Sequence, residues 1–185
     1  MTRLTLIALF LVTLAAPTLV PSAAEAGIDG LIASASICPN QTDPRAPVAV
    51  QERAMRCLTN FARRRAGLGA LAPAPRLSRA AAHKAGDILR CNEFSHEACG
   101  HEFFYWMQRF GYLGGGCWRA AENIAWGSGR LGTVRWVFVA WMHSAGHREN
   151  LLGPYAQIGI GLHTGGLEGN SRAHVWVAEF GSHTC

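Results

Sequence analysis

Beyond residue 26 the chain of 185 residues has no apolar stretch approaching the ~20 residues a bilayer-spanning helix requires. No transmembrane segment is therefore expected in the mature protein. Its cysteines form no C-x-x-C pair, which removes the usual zinc-knuckle and thiol-redox spacings. No Lys-Ser/Thr follows Gly114, Gly115 and Gly116, so these glycines read as a flexible turn and not a phosphate loop. Ser95 and Ser144 each lie near a histidine, but neither sits in a G-x-S-x-G elbow. His143 and His147 have helical i, i+4 spacing without the glutamate of H-E-x-x-H, a poor metalloprotease signal. No internal repeat and no second domain are evident.

What is present points outside the cell. Met1-Thr2-Arg3 gives a positive start, Leu4 to Ala16 is apolar and uncharged, and Ala24-Glu25-Ala26 offers a small-x-small cleavage pattern. Residues 1–26 therefore read as a signal peptide, interrupted by Pro17 and Pro21, with Gly27 as the mature N-terminus. A secreted, extracellular or periplasmic protein is expected. Six cysteines, an even number, suit disulfides in that compartment, and their spacing leaves the connectivity open. Cys57 on an apolar helix face could equally be a buried thiol. The formal charge of +5 favours anionic envelope polymers or lipid headgroups over nucleic acid, so no nucleic-acid partner is expected.

Residues 27–46 form a mature N-terminal segment, and one domain over 47–185 follows. Val50, Ala54, Cys57, Leu58 and Phe61 recur at helical spacing. Arg63, Arg64 and Arg65 close that helix as a solvated cap at its negative end, and Gly67 stops it. Ser78 is expected to cap a second helix lined by Leu77, Ala81, Ala85 and Ile88. After a polar loop from Cys91 to Gly100, Phe103, Trp106, Met107 and Phe110 mark a short amphipathic helix. Ala121 to Trp126 reads as a strand or strand entry. Thr133 is expected to cap a fourth helix with Val134, Phe138, Trp141 and Met142 on one stripe. Residues 157–163 and 173–180 alternate as two strands of a hairpin, Ile158, Ile160 and Leu162 lying opposite the glycines. Helices first and a hairpin last give an α+β domain with helices packed on an antiparallel sheet.

The stretch from Trp141 to Asn150, where a helix breaks at Gly146 and a histidine follows, draws attention first as a site. Beside His147, two other residues avoid the apolar stripes: His96 in a loop and Glu122 at a strand entry. Together they could hold Zn²⁺ as a His₂Glu set with an open position, or act as a general acid/base pair oriented by a carboxylate. His83 and His101 read as surface helix residues. His163, His174 and His183 belong to the sheet or tail, and Glu179 on a strand face reads as structural.

An ordered set of pieces resembles the bacterial branch of the CAP superfamily, the SCP-like extracellular proteins. The set comprises Asn60-x-x-Arg63 with Gly67-Leu68 and Leu71, then Leu77 and Ala81, Phe94-Ser95-His96, Gly111-Tyr112, and Glu122-Asn123-Ile124-Ala125. It continues with Trp141-x-x-Ser144-x-Gly146-His147-Arg148-x-Asn150 and Ile158-Gly159-Ile160-Gly161. The resemblance covers about residues 47–181. It implies an α-β-α sandwich with a small antiparallel sheet between helical layers. It also implies a cleft lined by two histidines and two glutamates, matched here by His96, Glu122 and His147. Ser144 stands where the family's second acid is usual. Family members have been associated with divalent-metal binding, with sterol or fatty-acid binding, with cell-wall roles and, in isolated cases, with proteolysis.

The resulting expectation is a monomeric, disulfide-stabilised binding protein. A divalent metal, zinc foremost, would sit on His96, Glu122 and His147, with a lipid or cell-envelope ligand beside it and no organic cofactor. The alternatives are an extracellular peptidase or esterase in which a metal or histidine activates water, and a polar cluster that merely braces loops. The expected disulfides are Cys91–Cys99 from proximity, together with Cys117–Cys185 and Cys38–Cys57.

Overall fold

A computed structural model describes residues 27–183; the expected signal peptide and Cys185 lie outside the described residues. The described residues form five α-helices and four strands in the order α1 (Val48–Arg65), β1 (Ala72–Pro73), α2 (Pro75–Arg90), α3 (Tyr105–Arg109), β2 (Trp118–Ser128), α4 (Val134–His143), α5 (Ala145–Leu151), β3 (Gln157–Leu167) and β4 (Asn170–His183). The sheet order is β1-β3-β4-β2. β4 runs antiparallel to both neighbours, while the two-residue β1 is parallel to β3.

Both faces of the sheet are buried. On one, Ile158, Ile160 and Leu162 of β3 and Trp176, Ala178 and Phe180 of β4 pack with Leu58 of α1 and Phe138 and Trp141 of α4. On the other, Val175, Val177 and Ile124 meet Ala81, Ala85 and Ile88 of α2. This is the α-β-α sandwich. The glycines of β3 explain how close the second layer lies. A Cβ on Gly159 would fall 2.1 Å from the Leu77 carbonyl carbon, and one on Gly161 2.3 Å from that of Ala81. The α2 backbone rests directly on that strand, so any side chain there would force the layers apart.

Several local expectations are corrected. Arg63 is no solvated cap: it is buried, and its guanidinium donates to the carbonyls of Gly69, Leu151, Gly153 and Tyr155 at 2.8–3.4 Å. Beside it Asn60 brackets Leu71, donating to its carbonyl at 3.0 Å and accepting from its amide at 2.8 Å. These two side chains tie the end of α1 to the α5–β3 connection and to the lead into β1. α2 begins at Pro75, three residues before Ser78, because proline's fixed φ and missing N–H suit a first helical turn. The break after α4 falls at Ser144, with extended φ/ψ of −92° and 121°; Gly146 lies inside α5.

Cys38–Cys57 and Cys91–Cys99 are disulfides, which settles Cys57 as bridged. Cys117 is disulfide-bonded as well; the expected partner, Cys185, lies outside the described residues. Among the described residues no helix is long and apolar enough to cross a membrane.

Candidate functional site: a histidine–carboxylate cleft

The loop that carries His96 is held from below by two charged side chains of α2. The Lys84 ammonium donates to the carbonyls of His96 and of His101, the latter at 3.1 Å. Asp87 accepts from His101 Nδ1 at 2.7 Å, Trp106 Nε1 at 2.8 Å and Arg90 at 2.7 Å. Burial of both side chains is tolerable because each is met by several partners. The Cys91–Cys99 bridge closes the loop, and Cys99 takes a left-handed φ of 61° to do so. His101 is therefore not a free surface residue. Its ring stacks on Tyr105 at 4.0 Å and serves this scaffold.

β2 supplies Glu122, whose side chain is almost wholly buried. α5 is clipped to the same strand by an amide network. Asn150 Nδ2 donates to Asn123 Oδ1 at 2.9 Å and to the Glu122 carbonyl at 3.3 Å. Asn123 Nδ2 donates to the His147 carbonyl at 2.9 Å, and Arg148 reaches back to the Met142 carbonyl at 2.7 Å. The spaced polar residues around Glu122 and His147 thus fix one element against the other, and His147 reaches the cleft it lines with His96. Its ring lies roughly parallel to that of the buried Trp141, 6.4 Å away.

His96 Nδ1 and Glu122 Oε1 are 2.7 Å apart. His147 Nδ1 lies 2.7 Å from Ser144 Oγ, so the serine at the family's acid position acts as the partner of this ring. In both histidines Nδ1 is engaged, which leaves Nε2 as the nitrogen free to meet a ligand. Burial, then the charge of His96, lowers the His147 pKa below its ordinary 6.5. The two rings line one cleft of about 550 Å³ together with Phe94, Ser95, Glu97 and Ile124. A smaller hollow of about 270 Å³ also borders His96, walled by Phe103, Ala120, Ala121 and Glu122. His96 thus touches both recesses, the smaller walled chiefly by apolar side chains, while His147 lines the larger, more polar one.

All three residues singled out from the sequence meet here. As placed, they do not offer three ligands to one ion, since Glu122 Oε1 is occupied by the His96 ring. Among the described residues, no group of three or more His, Cys, Asp or Glu is arranged to hold a metal. His143 and Ser95 take no part in the His96–Glu122 or His147–Ser144 pairs. Two residues of the site were not singled out: Lys84, and Glu179, which faces Glu122 across the β2–β4 ladder. A buried-face signal for Glu179 was available in its alternation with Val175 and Val177.

A sheet between helical layers, with a histidine–carboxylate cleft at one edge, defines an SCP-like domain. Residues 57–180 match the CAP, or cysteine-rich secretory protein, family, and the chain belongs to that family. It is 33% identical over 141 residues to the uncharacterized protein YkwD of Bacillus subtilis (strain 168), covering 75% of this chain and 50% of that protein. The chain thus spans about half the length of this curated relative. Among solved structures it is similar to an extracellular protein containing an SCP domain from Bacillus anthracis, with 25% identity and a TM-score of 0.58 over 72% of this chain and 40% of that one. It also shares the fold of an outer surface protein of Borrelia burgdorferi, with 18% identity and a TM-score of 0.58 over 70% and 90% of the two chains.

Proposed function

We propose that this CAP-domain protein is exported and works by binding, and that its cleft takes an amphipathic lipid or cell-envelope molecule. The observation that carries this reading is the layout of the cleft. Two imidazoles line one cleft together with Phe94 and Ile124, and His96 also borders a smaller recess walled by Phe103, Ala120 and Ala121. Such a layout favours a ligand with an apolar body and a polar head that hydrogen-bonds to the rings. The description of related proteins as extracellular or outer-surface supports export, as do the disulfides.

A divalent metal is the second reading, favoured by the two imidazoles that line one cleft with Nδ1 engaged elsewhere. The His₂Glu set does not fit as placed, so any ion would need its remaining ligands from water or from the bound molecule. The hydrolase alternative has one carboxylate-oriented ring, His96 on Glu122, whereas His147 is paired with Ser144 and not with an acid.

Fatty-acid and sterol transfer to the purified mature protein tests the first reading. Saturable uptake, weakened about tenfold or more by Phe94→Ala and by His147→Ala with the fold intact, is expected; no uptake of either class would contradict it. Metal analysis after incubation with zinc tests the second, which expects stoichiometric ion lost in His96→Ala. A purified protein that retains none would end it.

A further inference from the structure

A hollow of about 420 Å³ at the start of α2 shares no lining residue with the two recesses of the histidine cleft. Four separate pieces of chain meet there. α2 brings Arg76 and Arg79, the segment after α3 brings Tyr112, β3 opens with Gln157 and β4 closes with His183. The placement of the buried Tyr112 depends on β4. A Cβ on Gly181 would fall 2.3 Å from the tyrosine hydroxyl oxygen, so the phenol lies where a side chain on that strand would otherwise stand. Gly181 is in register with Gln157 on β3, and Tyr112 donates to Gln157 Oε1 at 2.8 Å. Pro73 and Pro75 add an apolar wall whose rings hold the backbone in a fixed conformation.

The side chains of this hollow offer donors in excess of acceptors. Tyr112 spends its O–H on Gln157 Oε1, which leaves the Gln157 Nε2 hydrogens to donate. Burial pushes the Tyr112 phenol up, so it adds no negative charge. Arg76 gives one N–H to the Gly111 carbonyl at 2.8 Å and keeps its others. The Arg79 guanidinium carbon lies 5.1 Å from the centre of the Phe110 ring, and a ring face attracts the cation without accepting its in-plane hydrogens. The His183 ring stands 4.9 Å from that of Tyr112. Among the described residues no carboxylate lines the hollow, and neither arginine is in an ion pair. Like charges at i, i+3 on one helix repel each other, and an anion shared between them relieves that repulsion through charge-assisted hydrogen bonds. A carboxylate would leave part of this donor set unused. A phosphate group has more oxygens and more charge to meet it.

We infer that the hollow is a second ligand site, which takes the phosphate group of a phosphate ester. Arg76 and Arg79 clamp the phosphate oxygens from α2, Gln157 Nε2 donates from β3, and the body of the ester lies against Pro73 and Pro75. Its volume of about 420 Å³ falls within the ~300–1,000 Å³ of small-molecule sites. Soluble esters and phospholipid headgroups both carry the group that these donors read. The inference does not depend on what the histidine cleft binds.

The test is an NMR titration of ¹⁵N-labelled mature protein with inorganic phosphate and with glycerol 3-phosphate, the ionic strength held constant with chloride. Saturable shifts are expected at the Arg76 and Arg79 Nε–H and Gln157 Nε2–H signals, with the His96 and His147 rings unmoved. Arg76→Ala and Arg79→Ala should each weaken binding about tenfold, as the loss of a charge-assisted hydrogen bond implies. Both positions are exposed, so the fold should be kept. Arg172→Ala removes the same charge from an exposed site on β4 and should change nothing. Phosphatidylglycerol vesicles are the third probe. Capture that Arg76→Ala and Arg79→Ala together abolish assigns the group to a lipid headgroup, and soluble binding without such capture assigns it to a free ester. No saturable shift with either soluble probe would overturn the inference, as would an equal loss in Arg172→Ala. His147→Ala, which disables the histidine cleft, should leave phosphate binding unchanged.

Discussion

At His147 the surroundings of one ring translate into a pH dependence. Its pKa is lowered, chiefly by burial and then by His96, so above the ordinary value of 6.5 both folded and unfolded chains hold it neutral. As pH falls through that value the unfolded chain takes up the proton first, and stability declines until the lower folded pKa is passed. Thermal melts between pH 8 and 5 should therefore show an acid-side loss that His147→Gln reduces; identical profiles would contradict this. Asn150 makes a sharper case, since it joins α5 to β2 through two hydrogen bonds. Asn150→Ala should cost about 1–3 kcal/mol in denaturant unfolding, as expected when buried partners lose a donor. It should also perturb His147 resonances more than those of His163.

Residues of this kind were unequally legible. His96, Glu122 and His147 stood out because ligand-type side chains sat off the apolar stripes. Glu179 did not, because its significance comes from Glu122 on another strand, and a strand pattern does not name its partner. Arg63 was misread for a related reason. A cation at a helix end has a sufficient local explanation, whereas three of its actual partners lie 88–92 residues further along the chain.

Among the elements, the α2 backbone lies directly against the glycines of β3. Gly161→Val would drive a branched side chain into the α2 backbone at Ala81. The expected loss is about 3 kcal/mol or more, at or beyond the upper end of the usual overpacking cost, measured by urea unfolding. The same change at the exposed Gly69, whose Cβ would meet nothing within 4 Å, should cost far less. The Cys91–Cys99 bridge closes a short loop, and replacing both cysteines with serine should cost roughly 2–3 kcal/mol on the loop-entropy estimate. Hydrogen exchange should rise most around His96. Helical periodicity revealed the long helices well, and alternation revealed β3 and β4. The two-residue β1 and the turn at Ser144 were not readable, since neither is long enough to carry a period.

For the whole molecule, the sandwich follows from helices on both sides of a sheet buried on both faces. Helices first and a hairpin last gave the class; the order β1-β3-β4-β2 depends on pairings between distant segments, which no local pattern encodes. That order places β2 beside β4 and so brings Glu122 over Glu179. It also leaves the His96 loop and α5 facing each other across one cleft. The central claim is that this cleft binds an amphipathic molecule between its two imidazoles. The most direct measurement is a titration of the mature protein with a fatty acid, followed through the ring ¹H–¹³C signals of all its histidines. The account predicts saturable shifts of His96 and His147, with His163 and His174 unmoved. Shifts spread evenly over all the rings, or none at His96 and His147, would contradict it.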